Sequence, residues 1–309
     1  MTIRGRDFID LLDYTKSELW QILKTSKMLK QKVARRKLLN TLKGKYLALI
    51  FEKPSTRTRV SFQVAMESMG GHVMSLGWNE LQLGRGETVG DTAQVMSRYV
   101  DGVMARVYRH STLEEFAKYA DIPVINGLSD LSHPVQILAD LLTIWEKKKR
   151  LEGLKLAYVG DGNNVCNSLL IGCSVFGLDV NVACPHGFEP HQKYVQSAMQ
   201  NAAESGSKVE IIHEPYGAVR NADIVYTDVF VSMGMDAERE KRLSIFLPKY
   251  QVTKELFSAA SRDAIFMHDL PCHREEEVQS VVIDGDRSAA WDQAENRVHS
   301  TRGLLYLLL

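Results

Sequence analysis

This sequence has no excess charge, no long apolar run and no cysteine framework. It carries 38 Lys and Arg against 38 Asp and Glu, so its formal net charge is zero. A chain without net positive charge has no general attraction for nucleic acid or anionic membranes, and neither is expected as a partner. Its basic residues can matter only locally. The C-terminal run Leu304-Leu-Tyr-Leu-Leu-Leu309 is far too short to span a bilayer. The charged opening Met1-Thr-Ile-Arg-Gly-Arg-Asp7 does not read as a signal peptide. Cys166, Cys173, Cys184 and Cys272 form no CxxC pair and have no His at zinc-ligand spacing. A reducing cytoplasm is the simplest expectation. Internal repeats and low-complexity segments are also missing.

What is present is ordinary globular composition, 45% hydrophobic and 25% charged over 309 residues. That is material for two domains. Asp10 to Lys32 reads as a helix, with Thr15 as a possible cap before Glu18. Apolar strands are expected at 46–50, 72–76, 102–107 and 123–126, with helices between them and a long helix from Pro134 to Arg150. The basic run Lys147–Arg150 suits a helix C-terminus and reads as a solvated face. The same grammar restarts at Gly153. Strands are expected at 153–159, 179–183, 209–212, 224–227 and 264–268, and a last helix at 289–309. Strands alternating with helices over short loops form parallel sheets. The expected fold is α/β, with two doubly wound parallel-sheet domains, an interdomain active-site cleft and the C-terminal helix packing back on the first domain. The boundary falls near residue 150, giving 1–150 with 289–309 and 151–288.

In such sheets ligands bind beyond the carboxyl ends of the strands, and the chemistry-bearing motifs cluster there. Phe51-Glu-Lys-Pro-Ser-Thr-Arg-Thr-Arg59 joins a strand to a helix. A helix N-terminus has unpaired N–H groups and partial positive charge. Here it adds the hydroxyls of Ser55, Thr56 and Thr58 and the guanidiniums of Arg57 and Arg59, which suit phosphate oxygens. The bland alternative is a serine cap with arginines on a solvated face. His133-Pro-Val-Gln136 opens a helix with proline at its first position, and both polar side chains can donate to a carbonyl oxygen. Gly160-Asp-Gly-Asn-Asn164 lacks the third glycine of a dinucleotide fingerprint. Its Asn163 and Asn164 offer amides for a carboxylate, or simply fill turn positions. Asp228, before Ser232-Met-Gly234, can hold an ammonium group. His268-Asp-Leu-Pro271 adds Asp269 as a second acidic group, and its Leu270-Pro271 bond is a candidate cis peptide. Arg297 either reaches back to the anion site or pairs with Asp292 or Glu295 on the surface.

Ser55-Thr-Arg-Thr-Arg59, His133-Pro-Val-Gln136, Asp228 with Ser232-Met-Gly234, His268-Asp-Leu-Pro271 and Ala294-Glu-Asn-Arg297 occur in this order. Jointly the pattern resembles the carbamoyltransferase (transcarbamylase) family, in particular its ornithine-specific branch, from Asp7 to the C-terminus. The resemblance implies transfer of a carbamoyl group from carbamoyl phosphate to ornithine, giving citrulline and phosphate, without a metal or redox cofactor, in a homotrimer or an assembly of trimers. It implies that Ser55, Thr56, Arg57, Thr58 and Arg106 hold the phosphate. Gln82 would reach a neighbouring subunit's site. His133 and Gln136 would hold the carbamoyl group. Asp269, Leu270 and Arg297 would complete the carbamoyl phosphate site, and Asn164, Asp228, Ser232 and Met233 would bind ornithine. Arg57, Arg106, His133, Asp228 and Asp269 are the expected catalytic residues.

Two positions depart from the family's usual pattern. Asp269 stands where the family usually has Cys, and Asp228-Val-Phe230 where it usually has Asp-Thr-Trp. The alternatives are a sister enzyme acting on putrescine, acetylated ornithine or aspartate, and a non-catalytic phosphate-binding module. Aspartate is disfavoured because its site needs extra cations. Putrescine, which has no carboxylate, would leave Asn163 and Asn164 without a role.

Overall fold

The computed structural model describes residues 3–37, 39–232 and 234–309. These form two compact units, one of residues 3–142 with 295–309 and the other of residues 143–294. The expected boundary near 150 lies inside the second unit. Two long helices, at Pro134–Lys148 and Ala290–Leu308, each contribute to both units.

In the first unit, α1 is Lys16–Ala34, β1 Tyr46–Phe51, α2 Thr56–Glu67, β2 His72–Gly77, α3 Val89–Tyr99, β3 Gly102–Arg106, α4 His110–Tyr119, β4 Val124–Leu128 and α5 begins at Pro134. The expected helix from Asp10 is split. Leu11–Asp13 is a separate 3-10 turn capped by Asp10, and α1 starts only at Lys16. The reason is local. The Thr15 hydroxyl accepts from the Glu18 N–H, and the Glu18 carboxylate accepts from the Thr15 N–H, so the reciprocal capping box fixes the start. The sheet is parallel throughout, with strand order β2-β1-β3-β4. Buried apolar side chains such as Ala48, Ile50, Val103 and Ala105 pack under α3 and α4.

In the second unit, β5 is Lys155–Val159, α6 Asn164–Phe176, β6 Asp179–Ala183, α7 Gln192–Ser205, β7 Val209–Ile212, α8 Pro215–Val219, β8 Ile224–Thr227, α9 Arg239–Phe246, α10 Lys254–Ser258, β9 Ile265–His268, α11 Ser280–Ile283 and α12 Ala290–Leu308. Its sheet is also parallel, in the order β7-β6-β5-β8-β9. The basic run at the end of α5 is only partly the solvated face expected from the sequence. The Lys148 side chain is 7% exposed and its Nζ lies 2.9 Å from an Asp263 oxygen, while Lys147 pairs with Asp292 at 2.7 Å. A lysine stem can lie along apolar surface while its ammonium finds a partner.

Each strand order reverses direction once. In the first sheet the chain passes outward to opposite sides from β1 and β3; in the second, from β5 and β8. At such a switch point the loops leaving adjacent strands diverge and open a crevice at the carboxyl end of the sheet. The loops after β1, β5 and β8 carry three of the motifs singled out above, and those of His133 and His268 follow β4 and β9. No helix among the described residues is long and apolar enough to cross a membrane.

Candidate active site

The first half-site is built around the hydroxyl of Thr58. Ser55 caps α2, its Oγ accepting from the Thr58 N–H at 3.3 Å. This places the first turn of α2, with its free N–H groups, at the carboxyl end of β1. Thr58 is 1% exposed, and its Oγ1 accepts from Ser55 Oγ at 3.2 Å, Arg106 Nη1 at 3.4 Å and Arg297 Nη2 at 3.3 Å. Arg106 ends β3, so its bond to Thr58 crosses the switch point. Arg297 comes from α12. Its Nη1 also donates to Gln136 Oε1, so it turns inward and does not pair with Asp292 or Glu295. Those two carboxylates lie instead on Lys147 and on His299.

Gln136 is oriented by its neighbours. Its Nε2 donates to Asp140 Oδ1 at 2.8 Å while its Oε1 receives the guanidinium of Arg297. A carboxylate needs a donor and a guanidinium needs an acceptor, so the amide cannot flip. One of the Gln136 N–H groups is thereby committed to Asp140. His133, 2% exposed, sits immediately before α5. Burial holds its imidazole well below the ordinary value of 6.5, and Arg297, Arg106, Arg57 and Lys53 push in the same direction. The ring is therefore neutral and able to donate one N–H without carrying charge. Arg57 is close enough to act on His133. Arg59 is not part of this group; its guanidinium carbon lies 5.0 Å over the Phe51 ring. Thr56 is exposed on the first turn of α2, and Gln82 is exposed in a short 3-10 segment after β2.

The second unit carries a cluster of the opposite sign. Asp228, 5% exposed, follows β8. Its Oδ1 accepts from the Val229 N–H at 2.7 Å and its Oδ2 from Asn163 Nδ2 at 2.6 Å. Asn163 caps α6, its Oδ1 accepting from the N–H groups of Val165 and Cys166. One side chain thus both caps a helix and steadies Asp228 across the switch point. Asn164 is the first residue of α6 and is partly exposed. Carboxylate oxygens of Asp228 and Asp269 and a ring nitrogen of His268 all lie within 4.8 Å of one another.

His268 is fully buried. Its Nδ1 accepts from the Leu270 N–H at 2.9 Å, which leaves the ring proton on Nε2, 3.2 Å from Glu277 Oε1. The histidine thus holds the loop that displays Asp269 and Leu270. Leu270 has φ of +61°, and its peptide with Pro271 is cis; Leu247-Pro248 is cis as well, which the sequence did not suggest. Ser232 is partly buried in the loop after Asp228, and Met233 lies outside the described residues.

Several contributors escaped sequence reading. Asp140 lies four residues after Gln136 on one helix face, a spacing that could have revealed it. Lys53 is inside the same loop as the serine-threonine-arginine motif. Glu277 carries no local signal, because only the fold brings it under His268.

Residues 6–146 match the family model described as aspartate/ornithine carbamoyltransferase, carbamoyl-P binding domain, and residues 152–308 match aspartate/ornithine carbamoyltransferase, Asp/Orn binding domain. The chain belongs to the aspartate/ornithine carbamoyltransferase family. It is 56% identical to an ornithine carbamoyltransferase of Pyrococcus horikoshii over 100% of this chain and 97% of that protein. The solved ornithine carbamoyltransferase of Pyrococcus furiosus superimposes with a TM-score of 0.97 at 55% identity, covering 100% of this chain and 98% of that one. The enzyme from Thermus thermophilus gives a TM-score of 0.88 at 41% identity, covering 98% of this chain and 99% of that one. Thr58, Arg106, His133 and Gln136 fall in the carbamoyl-P match and Asp228 and Asp269 in the Asp/Orn match, which also takes in Arg297.

Proposed function

We propose that this chain transfers the carbamoyl group of carbamoyl phosphate to the side-chain amine of L-ornithine, giving L-citrulline and phosphate. The observation that carries the reading is that each unit has its own cluster at the carboxyl ends of its strands, cationic around Thr58 in the first and acidic at Asp228 and Asp269 in the second. A dianionic acyl phosphate suits the first and a cationic amino acid the second. Full-length relatives at 50–56% identity that are named ornithine carbamoyltransferase support the same substrate.

In the mechanism we infer, Ser55, Thr56, Arg57 and Thr58 at the start of α2 hold the phosphate with Arg106. Arg297, His133 and Gln136 hold the carbamoyl group, with Leu270 and Asp269 completing that site. Asn164, Asp228, Ser232 and Met233 hold ornithine. The neutral amine attacks the carbamoyl carbon, a C–N bond forms and the C–O bond to phosphate breaks. Arg106 and the neutral His133 stabilise the oxyanion, Arg57 takes the leaving group's charge, and the amine's proton passes to the departing phosphate. Water must be excluded because carbamoyl phosphate hydrolyses. The Pyrococcus furiosus relative is named anabolic, which supports a biosynthetic direction within arginine metabolism.

We also propose a homotrimer or an assembly of trimers. Val60 and Val64 on α2, Met74 on β2 and Tyr99, which is 72% exposed, leave apolar surface of the kind that subunit contacts cover. The exposed Gln82 then serves a neighbour's site. The deciding experiment offers carbamoyl phosphate with ornithine, N-acetylornithine, putrescine and aspartate and measures carbamoylated product. Citrulline from ornithine is expected to dominate; dominant carbamoylation of any other amine, or none at all, would refute the reading.

A further inference from the structure

A cluster of metal-ligating side chains lies outside the acidic cluster, at the carboxyl ends of β6 and the edge strand β7. His186 and Glu189 are in the loop after β6, and His213 follows β7. One ring nitrogen from each histidine and one Glu189 oxygen all lie within 4.8 Å of one another. The His186 and His213 ring centroids are 3.6 Å apart, and His186 Nδ1 is 3.9 Å from Glu189 Oε1. Two of the three groups are already oriented. His213 Nδ1 is 2.8 Å from the Cys184 carbonyl oxygen, which can only accept, so the proton is on Nδ1 and Nε2 presents its lone pair. A carbonyl holding the distal N–H is the usual support of a metal-binding imidazole. Glu189 Oε2 accepts from the Gly187 N–H at 2.9 Å, which leaves Oε1 to face His186. The third group is adjustable, since the His186 side chain is 82% exposed.

We propose that His186, Glu189 and His213 bind a divalent transition ion of the zinc class. Two neutral imidazoles and one carboxylate are a nitrogen-rich set that suits Zn²⁺, Ni²⁺ or Cu²⁺ and not Mg²⁺ or Ca²⁺, which prefer oxygen. Bonds of about 2.1 Å in tetrahedral geometry set ligand atoms about 3.4 Å apart, a contraction open to the exposed side chains of His186 and Glu189. The buried Cys184 is not part of this group of neighbouring ligand atoms. The fourth position is left to water. The loop being pinned is not isolated. The Gly162 N–H donates to the Phe188 carbonyl at 2.9 Å, and a Cβ on Gly162 would lie 2.2 Å from the Pro190 nitrogen. An ion here would stiffen the segment that packs on the 160–164 turn.

The test is a Co²⁺ titration of the full-length protein, read by the visible absorption of a nitrogen-ligated ion and by competition with Zn²⁺. Wild type is expected to bind one ion whose affinity falls about tenfold or more in His186→Ala and in His213→Ala. Binding should persist in Asp269→Asn, which alters the separate Asp228–His268–Asp269 cluster. Circular dichroism checks the fold, and His186→Ala removes a side chain too exposed to be needed for folding. The proposal is overturned by wild type that binds no ion, by equal binding in wild type and His186→Ala, or by a signal lost only in Asp269→Asn.

Discussion

Residue identities set the chemistry, and three of them make separate predictions. Arg57 occupies the first turn of α2, where a planar guanidinium can bridge phosphate oxygens. Arg57→Ala should lose roughly 3 kcal/mol or more of transition-state stabilisation while the thermal midpoint barely moves. A kcat/KM within a few-fold of wild type would remove Arg57 from the phosphate site. Asp269 approaches Asp228 closely enough for both to meet one ammonium group. A second carboxylate favours the charged amine and so attracts ornithine while disfavouring its deprotonation. Asp269→Asn should therefore raise KM for ornithine more than it lowers kcat, and Asp269→Cys should stay active with a shifted pH–rate profile. An unchanged KM and profile in Asp269→Asn would show that the side chain does not meet the amine. His133 makes a prediction about stability. Its folded-state pKa is depressed by burial and four cations, so below pH 6.5 the unfolded chain takes up this proton first. The contribution is present above 6.5 and is lost as pH falls, by up to about 1.4 kcal/mol per pH unit for this one group. Urea midpoints at pH 7.5 and 5.5 should converge less in wild type than in His133→Gln; equal pH sensitivity would contradict a buried neutral imidazole.

Elements carry those residues to their places through packing. Arg297 reaches Thr58 and Gln136 only because α12 lies against α1 within the same unit. Gly303 marks the close approach: a Cβ there would be 2.0 Å from Ser26 Oγ and 2.8 Å from the Ser26 nitrogen. Glycine in an exposed helix is usually improved by alanine, by up to about 1 kcal/mol. Here the sign should reverse. Gly303→Ala should destabilise by about 1–3 kcal/mol, the range for overpacking a close contact, and should lower kcat/KM as Arg297 is displaced. A raised melting temperature would mean that α12 does not need this approach.

At the scale of the whole molecule the prediction concerns assembly. If Gln82 serves a neighbour's site, an inactive Arg57→Ala subunit and a Gln82→Ala subunit each retain what the other lacks. Mixed trimers should regain part of the activity because some composite sites are intact. Verified mixed trimers with no more activity than the separate variants would argue that each chain's site is complete in itself.

The sequence alone determined the alternation of strands and helices, because apolar runs, caps and glycines act over a few residues. It also marked the strand ends where the serine-threonine-arginine, His133, Asp228 and His268 motifs would lie, since parallel sheets put function there. Local signals could not decide partners distant in sequence. Only the tertiary structure sent Arg297 to Thr58 rather than to Glu295, turned Arg59 onto Phe51, committed Asn163 to Asp228 and set Glu277 beneath His268. His186 and His213 belong to the same class. They are separated by helix α7 and strand β7 in the chain, and only the adjacency of β6 and β7 brings their rings together.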